Sequence, residues 1–361
     1  MKSTLLQHYG RNQHAFRPNG SSTSAAIDIH NFALNCLDQR GNEGIRITCL
    51  DFSKAFDRIH HNRLLMILKR CGLNHGFIRW LHSYLVNRMQ RISINGKLGP
   101  VVRATSGVPQ GSVLGPYLFA VFIGTLAVNH QDSRLVKFAD DLTLVEGFFR
   151  SSPPPSNIET VWRWTDEFKL RLNLNKCHQL LIHRGKTQRI TAYTDIQVVS
   201  AATILGFTFN DKLNWNAHFD RVTLTASRRL HLLRTLKPHL PGDQLVLVFN
   251  ACIMSVLMYG SPLFCHLSTR NLVKLERVVK RSHKIICGVG CHCSRLPVIE
   301  DLRKKIALKF LNKCHLTNHP LNHLLPQQFF YSQRYRLPHC NTTRLLNSFF
   351  PFTCALYNSS S

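Results

Sequence analysis

Acidic residues are scarce in this chain of 361 residues: 19 Asp and Glu stand against 46 Lys and Arg, a formal net charge of +27. The shortage is sharpest after residue 211, where 21 basic residues meet only five acidic ones, and the last 60 residues hold no acid. A charge excess of this size is more than solubility requires, so a solvated basic face explains it poorly. The pattern favours a polyanionic partner, nucleic acid before an anionic membrane surface.

Paired cysteines and a secretory signal are also lacking. None of the 12 cysteines forms a Cys-x-x-Cys pair, and the N-terminus begins with polar residues rather than an apolar core. These absences indicate a reducing, intracellular compartment with reduced thiols, and they leave cytoplasm and nucleus equally open.

One long uncharged run has to be tested as a membrane span. Residues 244–269 carry no Asp, Glu, Lys or Arg, which is enough length for a bilayer. Polar residues and a proline interrupt the run, and basic segments flank it on both sides. A buried helix of a globular domain is therefore favoured over a membrane anchor, and we expect no membrane partner.

Hydrophobic periodicity predicts an α+β chain. Helical spacing covers residues 22–37, 62–70, 76–86, 117–128 and 158–171. Apolar or alternating runs predict strands over residues 45–50, 90–95, 135–138, 142–145, 180–183 and 202–209. From residue 215 onwards the pattern is helical and basic.

Asp51 stands directly after the apolar run 45–50. An aspartate there lowers strand propensity and would be costly to bury without a partner, but it is well placed to project from the strand end onto a metal ion. A cap for the following helix is the alternative, since Ser53 and Asp57 are typical of a helix start.

Asp140 and Asp141 lie between the apolar runs 135–138 and 142–145. This pattern predicts a β-hairpin whose tight turn lets at least one carboxylate reach a shared site. Like charges this close repel each other, so a cation should hold them, and hard oxygen ligands favour Mg²⁺ over Zn²⁺. An ordinary Asp-rich turn is the alternative.

Residues 106–116 read Ser-Gly-Val-Pro-Gln-Gly-Ser-Val-Leu-Gly-Pro. Glycine and proline at this density make a shaped loop whose backbone can approach a ligand closely. Gln110 adds an amide that can hydrogen-bond a sugar, a base or a phosphate. A purely structural turn is the alternative for this loop as well.

The order of these three motifs resembles the palm of reverse transcriptases, and the closest resemblance is to those of non-long-terminal-repeat (LINE-like) retrotransposons. Residues 164–177 resemble the family's next motif, residues 205–207 resemble its primer grip, and residues 13–25 resemble the segment before the palm. The similarity covers most of residues 7–290.

The resemblance implies a nucleotidyltransferase, an RNA-directed DNA polymerase that extends a DNA primer on an RNA template from dNTPs. It also implies two Mg²⁺ ions about 3.5–4 Å apart. Asp51 and Asp140 would bridge both ions, Asp141 would support them, and the backbone carbonyl of Phe52 would complete one ion's shell.

Nucleotide-binding roles for three further side chains also come from the resemblance. Phe56 occupies the position whose ring abuts the sugar 2′ carbon and so selects dNTPs, with core packing as the alternative. Gln110 would contact the incoming nucleotide or the template. Lys176 is a candidate acid near the leaving pyrophosphate, with a plain surface role as the alternative.

The fold that the resemblance implies is an α+β right-hand polymerase. We expect partial fingers or pre-palm over residues 1–44, a palm sheet with helices on one face over 45–210, a helical thumb over 211–290 and a basic C-terminal segment over 291–361. In the thumb, Arg228 and Arg229 are expected to contact phosphates of the primer–template duplex.

The chain departs from the family in two respects. It begins after the point at which the family's basic finger residues stand, and it contains no endonuclease domain. We therefore expect the polymerase-end fragment of a longer element product or a truncated genomic copy. The alternative from another class is a non-catalytic nucleic-acid-binding remnant.

A group of histidines and cysteines near residue 290 is a candidate zinc site. Its spacing, His-x₃-Cys-x₃-Cys-x-Cys, lacks a Cys-x-x-Cys pair and is poorly suited to a tetrahedral ion. Free thiols in a basic segment are favoured over zinc for this group, which comprises His283, Cys287, Cys291, His292 and Cys293.

Overall fold

The computed structural model of the chain describes residues 5–10, 12–152, 155–185, 190–288 and 298–360. It divides into two compact units. Unit 1 takes Met1–Ala25 and Gly41–Val199, and unit 2 takes Ala26–Arg40 and Ser200–Ser361. The expected boundaries of fingers, palm and thumb are not defined by this partition and stay predictions.

Unit 1 is built on a sheet of five strands in the order β6-β7-β1-β8-β9. The central strand β1 pairs antiparallel with β7 and with β8, and its residues are almost all buried, as its apolar run predicts. The bounds of the five strands are β1 Asn42–Leu50, β6 Ser133–Phe138, β7 Asp141–Phe149, β8 His178–His183 and β9 Gln197–Val198.

Helices around this sheet supply the other half of the unit 1 core. Helix α4 is buried along most of its length, and α5 is amphipathic and buries Trp164 and Phe168. Both rings pack with Phe52 and Phe119 in one apolar cluster. The helices of unit 1 that follow β1 are α2 His61–Arg70, α3 His75–Leu85, α4 Leu114–Gly124 and α5 Ile158–Phe168.

The segment between α3 and the loop 106–116 is more broken than predicted. Instead of one strand over 90–95, two short antiparallel pairs form, and Asn95 and Gly96 make the turn of the inner pair with φ of 49° and 79°. The side chains of these short strands are exposed, so no buried face fixes the register of a longer strand pair. The four strands are β2 Met89–Gln90, β3 Ser93–Ile94, β4 Lys97–Leu98 and β5 Val102–Arg103.

Unit 2 is mainly helical, as its sequence pattern predicts, with one two-stranded hairpin. The strand predicted over 202–209 is instead this hairpin, because Leu205 and Gly206 take φ of 52° and 87° and reverse the chain. Its elements are β10 Ala201–Ile204, β11 Phe207–Asn210, α6 Asn216–Leu236, α7 Gly242–Phe249, α8 Ser255–Leu257, α9 Thr269–Cys287, α10 Ile299–Cys314, α11 Thr343–Leu346 and α12 Phe349–Ser360. Helix α1, Ser22–Asp38, precedes β1 and contributes residues to both units.

The uncharged run 244–269 forms short, partly buried pieces rather than the one buried helix expected from the sequence. It contains most of α7, a π-helical turn over Asn250–Met254, α8 and a 3₁₀ turn over Ser261–Phe264. No helix within the described part of the chain has the length and apolar character needed to cross a bilayer.

Aromatic and histidine rings fill the core of unit 2. The buried His30 ring lies 5.0 Å from the ring of Trp215, and His218 stacks on Phe264 at 4.6 Å. His218 Nδ1 is 3.3 Å from the backbone N–H of Thr208, which donates to it. Burial lowers the pKa of both histidines to about 4, so both are neutral at physiological pH.

Candidate active site

Asp51 leaves the end of β1 and is held there by a distant segment of the chain. The backbone N–H of Asn173 donates to the carbonyl of Asp51 at 2.8 Å, and that of Ser53 donates to the carbonyl of Arg171 at 2.9 Å. Cys177 Sγ accepts from the Asp51 N–H at 3.4 Å. The structure therefore joins the first predicted motif to the fourth, residues 164–177.

Asp140 lies in the two-residue turn between β6 and β7. Phe138 pairs with Asp141 and closes the turn, in which Ala139 has a φ of 56°. A non-glycine residue with positive φ is unfavourable on its own and needs support from its surroundings.

Gln13 gives this turn its support. Its buried Oε1 accepts from the N–H of Ala139 at 3.2 Å and from that of Ala15 at 3.0 Å. The backbone of residues 12–14 also pairs with Lys137 on β6, in parallel. The sequence showed this segment only as one that resembles the family, and nothing local revealed the role of Gln13.

The sheet register brings the three carboxylates of the first and third motifs to one edge. Leu50 pairs with Leu142, so Asp51 and Asp141 directly flank this pair. The pKa of Asp141 lies above its ordinary value, first because the surrounding protein partly desolvates the carboxylate and then because Asp140 and Asp51 add negative charge. The site therefore holds surplus negative charge.

The donor set fits a hard divalent cation. Carboxylate oxygens suit Mg²⁺, which is usually held by one or two carboxylates together with substrate phosphates rather than by a closed protein cage. Within the described ranges, however, no group of three or more His, Cys, Asp or Glu side chains is arranged to hold a metal ion, so the binding of Mg²⁺ by Asp51, Asp140 and Asp141 stays a prediction. The zinc candidates Cys291, His292 and Cys293 lie outside those ranges.

Lys176 stands beside the candidate metal-binding carboxylates. Its Nζ lies 3.9 Å from Asp51 Oδ2, and its side chain is 66 % exposed. An exposed pair at this distance contributes little to stability. The contact places an exposed positive charge within reach of the site.

The loop 106–116 docks on the 3₁₀ turn Ala55–Arg58, which follows Asp51. The N–H of Gly107 donates to the carbonyl of Ile59, and that of Val108 donates to the carbonyl of Phe56. Gly107 has a φ of +85°, and a Cβ there would lie 2.7 Å from Asp57 Cα. Only glycine allows this close approach.

Gln110 is oriented by Asp57. Its Nε2 donates to Asp57 Oδ1 at 2.8 Å, and Ser106 Oγ donates to the Asp57 carbonyl at the same distance. The structure thus brings the second motif against the first, as the order of the motifs led us to expect. Asp57 had been noted only as a helix-start residue, because the sequence carries no sign of a partner 53 positions away.

Phe56 lies between the core and the surface. Its half-buried ring stacks on the fully buried ring of Phe119, with centroids 4.3 Å apart. Core packing, the alternative given above, therefore describes part of its role. The contact with the nucleotide sugar stays a prediction.

β1 and β7 also carry a buried ion pair. Arg46 and Glu146 face each other across the two strands, and Arg46 Nη2 donates to Glu146 Oε2 at 2.8 Å. The Tyr193 hydroxyl donates to the same oxygen at 2.8 Å, and the Arg46 guanidinium lies 3.5 Å from the centre of the Tyr193 ring. Arg46 further donates to the carbonyl of Pro155 at 3.0 Å.

A buried lysine ties α4 to β6. Lys137 Nζ donates to the carbonyl of Ile123 at 2.9 Å and to that of Leu126, at and just beyond the C-terminal end of α4. Burial lowers the pKa of Lys137 to about 7. Its position fixes the helix that follows the Gln110 loop onto the strand that leads to Asp140.

The family model described as reverse transcriptase (RNA-dependent DNA polymerase) matches residues 1–209. The chain belongs to the reverse transcriptase family.

Relatives of this reverse transcriptase chain come from mobile elements. It is 23 % identical to the RNA-directed DNA polymerase from mobile element jockey of Drosophila melanogaster, over 85 % of this chain and 36 % of that protein. It is 25 % identical to the probable RNA-directed DNA polymerase from transposon BS of the same species, over 76 % of this chain and 32 % of that protein. The chain thus spans about a third of the length of these curated relatives.

Among solved structures, apo telomerase from Candida tropicalis is similar at 12 % identity and a TM-score of 0.43, over 90 % of this chain and 59 % of that one. The predicted membership of the reverse transcriptase family is confirmed by the family match, and the relatives named above belong to mobile elements. The predicted α+β class is confirmed by the antiparallel sheet and helices of unit 1.

The arginines assigned to the reverse transcriptase thumb lie on α6, as predicted. Arg228 and Arg229 are both exposed, and Arg229 Nη1 donates to the carbonyl of Cys252 at 2.7 Å. That bond ties the Arg229 side chain to the π-helical turn Asn250–Met254. Contact of the two residues with a duplex stays a prediction.

Proposed function

We propose that this chain carries the polymerase centre of a retrotransposon product. It extends a DNA 3′ end on an RNA template, using dNTPs. The observation that carries the proposal is the proximity of Asp51, Asp140 and Asp141 at one end of the sheet, where desolvation first, and then repulsion from the other two carboxylates, raises the pKa of Asp141. A protein gains nothing in stability from such repulsion, so a cationic ligand explains it best.

Asp51 and Asp140 would hold the Mg²⁺ ions, with Asp141 in support and the backbone carbonyl of Phe52 as a further ligand. When bound, two such ions lower the pKa of a primer hydroxyl and neutralise triphosphate charge. The chain's own contribution is positional: β1 and the Gln13-supported turn hold the carboxylates before substrate arrives.

Three side chains around these carboxylates would act on the nucleotide. Gln110, oriented by Asp57, donates an amide hydrogen bond to the nucleotide or the template. Phe56, fixed against Phe119, excludes a ribose 2′-hydroxyl. Lys176, whose exposed ammonium lies beside Asp51, gives a proton or positive charge to the leaving pyrophosphate.

We propose that the chain is divided as in right-hand polymerases, with partial fingers, a palm on the unit 1 sheet and a thumb in unit 2. Arg228 and Arg229 on the exposed side of α6 then contact phosphates of the RNA–DNA hybrid. RNA template, DNA primer and dNTPs are the proposed partners.

Primer extension on an RNA template with Mg²⁺ tests the proposal. Asp140→Asn removes a charge at the metal site and should lower the rate at least about a hundredfold, because it weakens a ligand worth several kcal/mol in the transition state. Asp195→Asn is the matched control, since Asp195 is an exposed aspartate of unit 1 outside the site. It should keep the wild-type rate.

Hybrid binding, measured in parallel at several salt concentrations, separates the two functional classes. The polymerase proposal expects both variants to bind the hybrid like wild type. If the wild-type chain binds the hybrid but extends no primer under any metal condition, the non-catalytic remnant is the correct alternative.

A further inference from the structure

Unit 2 contains a cavity of about 590 Å³ between the start of α9, helix α10 and helix α12. Its wall combines the apolar side chains of Phe352 and Leu356 with the polar residues Thr269, Lys304 and Arg303. Nothing in the polymerase proposal uses this cavity.

Arg303 is the unusual residue of the wall. It is only 3 % exposed, yet neither Nη1 nor Nη2 has a hydrogen-bond partner within the described part of the chain. Burial lowers the pKa of the guanidinium to about 10, so it remains charged at neutral pH. A buried charge without a partner is strongly unfavourable and calls for an explanation.

The acidic residue of the cavity wall does not supply a counter-charge. Glu300 lies one helical turn before Arg303, but its Oε1 pairs with Lys304 Nζ at 2.8 Å. Both members of that pair are about half exposed, at 52 % and 41 %. The cavity therefore has a charge-balanced rim and an unbalanced positive charge in its wall.

The start of α9 adds a second attraction for anions. Thr269, its first residue, lines the same cavity, and α9 is 19 residues long. Backbone N–H groups at a helix start favour negative charge, and phosphate is a frequent ligand there. The guanidinium and the helix start thus both favour an oxyanion.

We propose that this cavity binds a terminal phosphate group, with Arg303 as its bidentate partner and Phe352 and Leu356 against the rest of the ligand. Because neither Nη atom is exposed in the ligand-free chain, the wall has to open around the guanidinium before a ligand reaches it, and a terminal phosphate monoester needs a smaller opening than a diester inside a strand. A doubly charged monoester also balances more positive charge than a carboxylate does. A free nucleotide and the 5′-phosphate end of an RNA strand both provide this group.

Thermal unfolding of the whole chain tests the proposal. Inorganic phosphate should raise the Tm by roughly 2–4 °C above sodium chloride of equal ionic strength. Arg303→Met should raise the Tm without any ligand, because it removes an unpaired buried charge, and it should abolish the response to phosphate. Lys305→Met, an exposed cation two positions along α10, is the matched control and should keep the response.

Further additions distinguish the two sources. A larger Tm rise with adenosine monophosphate than with phosphate, and none with RNA, identifies a free nucleotide. A rise with 5′-phosphorylated RNA that exceeds the rise with 5′-hydroxyl RNA of the same sequence identifies a strand end.

Three results overturn the proposal. One is the absence of any Tm rise of the wild-type chain with phosphate, which needs no variant. Another is an equal rise with acetate, which makes the ligand a carboxylate. The third is a lower Tm of a folded Arg303→Met chain without ligand, which shows that Arg303 has a protein partner. If Arg303→Met does not fold, Arg303→Gln replaces it, and a retained phosphate response in that variant counts against the proposal.

Discussion

Among the residues that the structure describes, each unit of this reverse transcriptase has one almost completely buried arginine, and the two arginines differ in their partners. Arg46 is 1 % exposed and has a carboxylate, two backbone carbonyls and an aromatic ring as partners. Arg303 is 3 % exposed and has no hydrogen-bond partner for either Nη nitrogen within the residues that the structure describes. The two arginines are thus about equally buried but differ in their hydrogen-bond partners.

The difference separates a structural charge from a binding charge. A buried arginine whose donors are all satisfied holds its neighbours in one arrangement, here β1, β7 and the segment with Tyr193. A buried arginine whose donors point at no acceptor raises the free energy of the empty protein, and a ligand can recover that free energy on binding.

Replacement of Arg46 should give the largest change in the free energy of unfolding, and it tests most directly whether the two arginines differ. Arg46→Met leaves Glu146 charged and buried, so the free energy of unfolding should fall by about 3–5 kcal/mol. Urea unfolding measures this change. The double variant Arg46→Met with Glu146→Leu should recover most of the loss, because both charges are then gone.

The same substitution at Arg303 should have the opposite sign. A loss of stability in both methionine variants would remove the distinction between the two arginines. A loss in neither would show that the Arg46–Glu146 pair adds no stability over apolar side chains.

Acidification should destabilise unit 2 through its neutral core histidines. His30 and His218 have pKa values of about 4 in the folded chain against 6.5 unfolded, so the unfolded chain binds more protons between these pH values. Stability is therefore full above about pH 6.5 and falls as the pH approaches 4, by on the order of 2 kcal/mol per histidine. Urea midpoints between pH 7 and pH 4.5 measure this loss.

His30→Phe keeps a ring against Trp215 and should remove about half of the acid effect. His239→Gln, at an exposed histidine of the same unit, is the control and should leave the pH dependence unchanged. An equal pH dependence in wild type and His30→Phe would mean that His30 is not neutral by burial.

A smaller effect is expected at two hairpin turns, the β6–β7 turn of unit 1 and the β10–β11 turn of unit 2. Gln13→Leu leaves the N–H groups of Ala139 and Ala15 without their acceptor, so stability should fall by about 2 kcal/mol. Primer extension should fall as well, because the turn carries Asp140.

The unit 2 turn provides the matched variant, Tyr259→Phe. It removes the hydroxyl that donates to the carbonyl of Leu205, at an exposed site where the turn also has Gly206, and should cost about 0.5 kcal/mol. Equal costs for the two variants would mean that the positive φ of Ala139 needs no outside support.

Local sequence pattern was enough to predict much of the fold and the local structure of the segments that carry Asp51 and the Asp140–Asp141 pair. The run before Asp51 is a strand, the paired aspartates lie at a hairpin turn, and helices cover most of the predicted ranges. Element ends were less accurate. The helix predicted over 158–171 ends at Phe168, where Lys169 turns left-handed with a φ of 57°, and the helix predicted over 117–128 runs over Leu114–Gly124.

What could not be predicted depends on contacts between distant residues. Arg46 stands within an apolar strand, and its partner Glu146 is 100 positions away. Gln13 and Asp57 carry no local sequence signal of their role, and only the folded chain shows that each is hydrogen-bonded to a loop of the candidate site. No periodicity in the sequence encodes such pairings.

The pairing of residues 12–14 with β6 has a further consequence for solubility. β6 is the outer strand of its sheet, and unpaired outer strands are places where a second molecule can add its own strand and start aggregation. The N-terminal segment occupies backbone groups of Lys137 on this edge, and the opposite edge strand β9 is only two residues long. Removal of the first 15 residues should therefore have two effects. The turn with Asp140 loses the support of Gln13, and the exposed edge of β6 allows the shortened chain to self-associate.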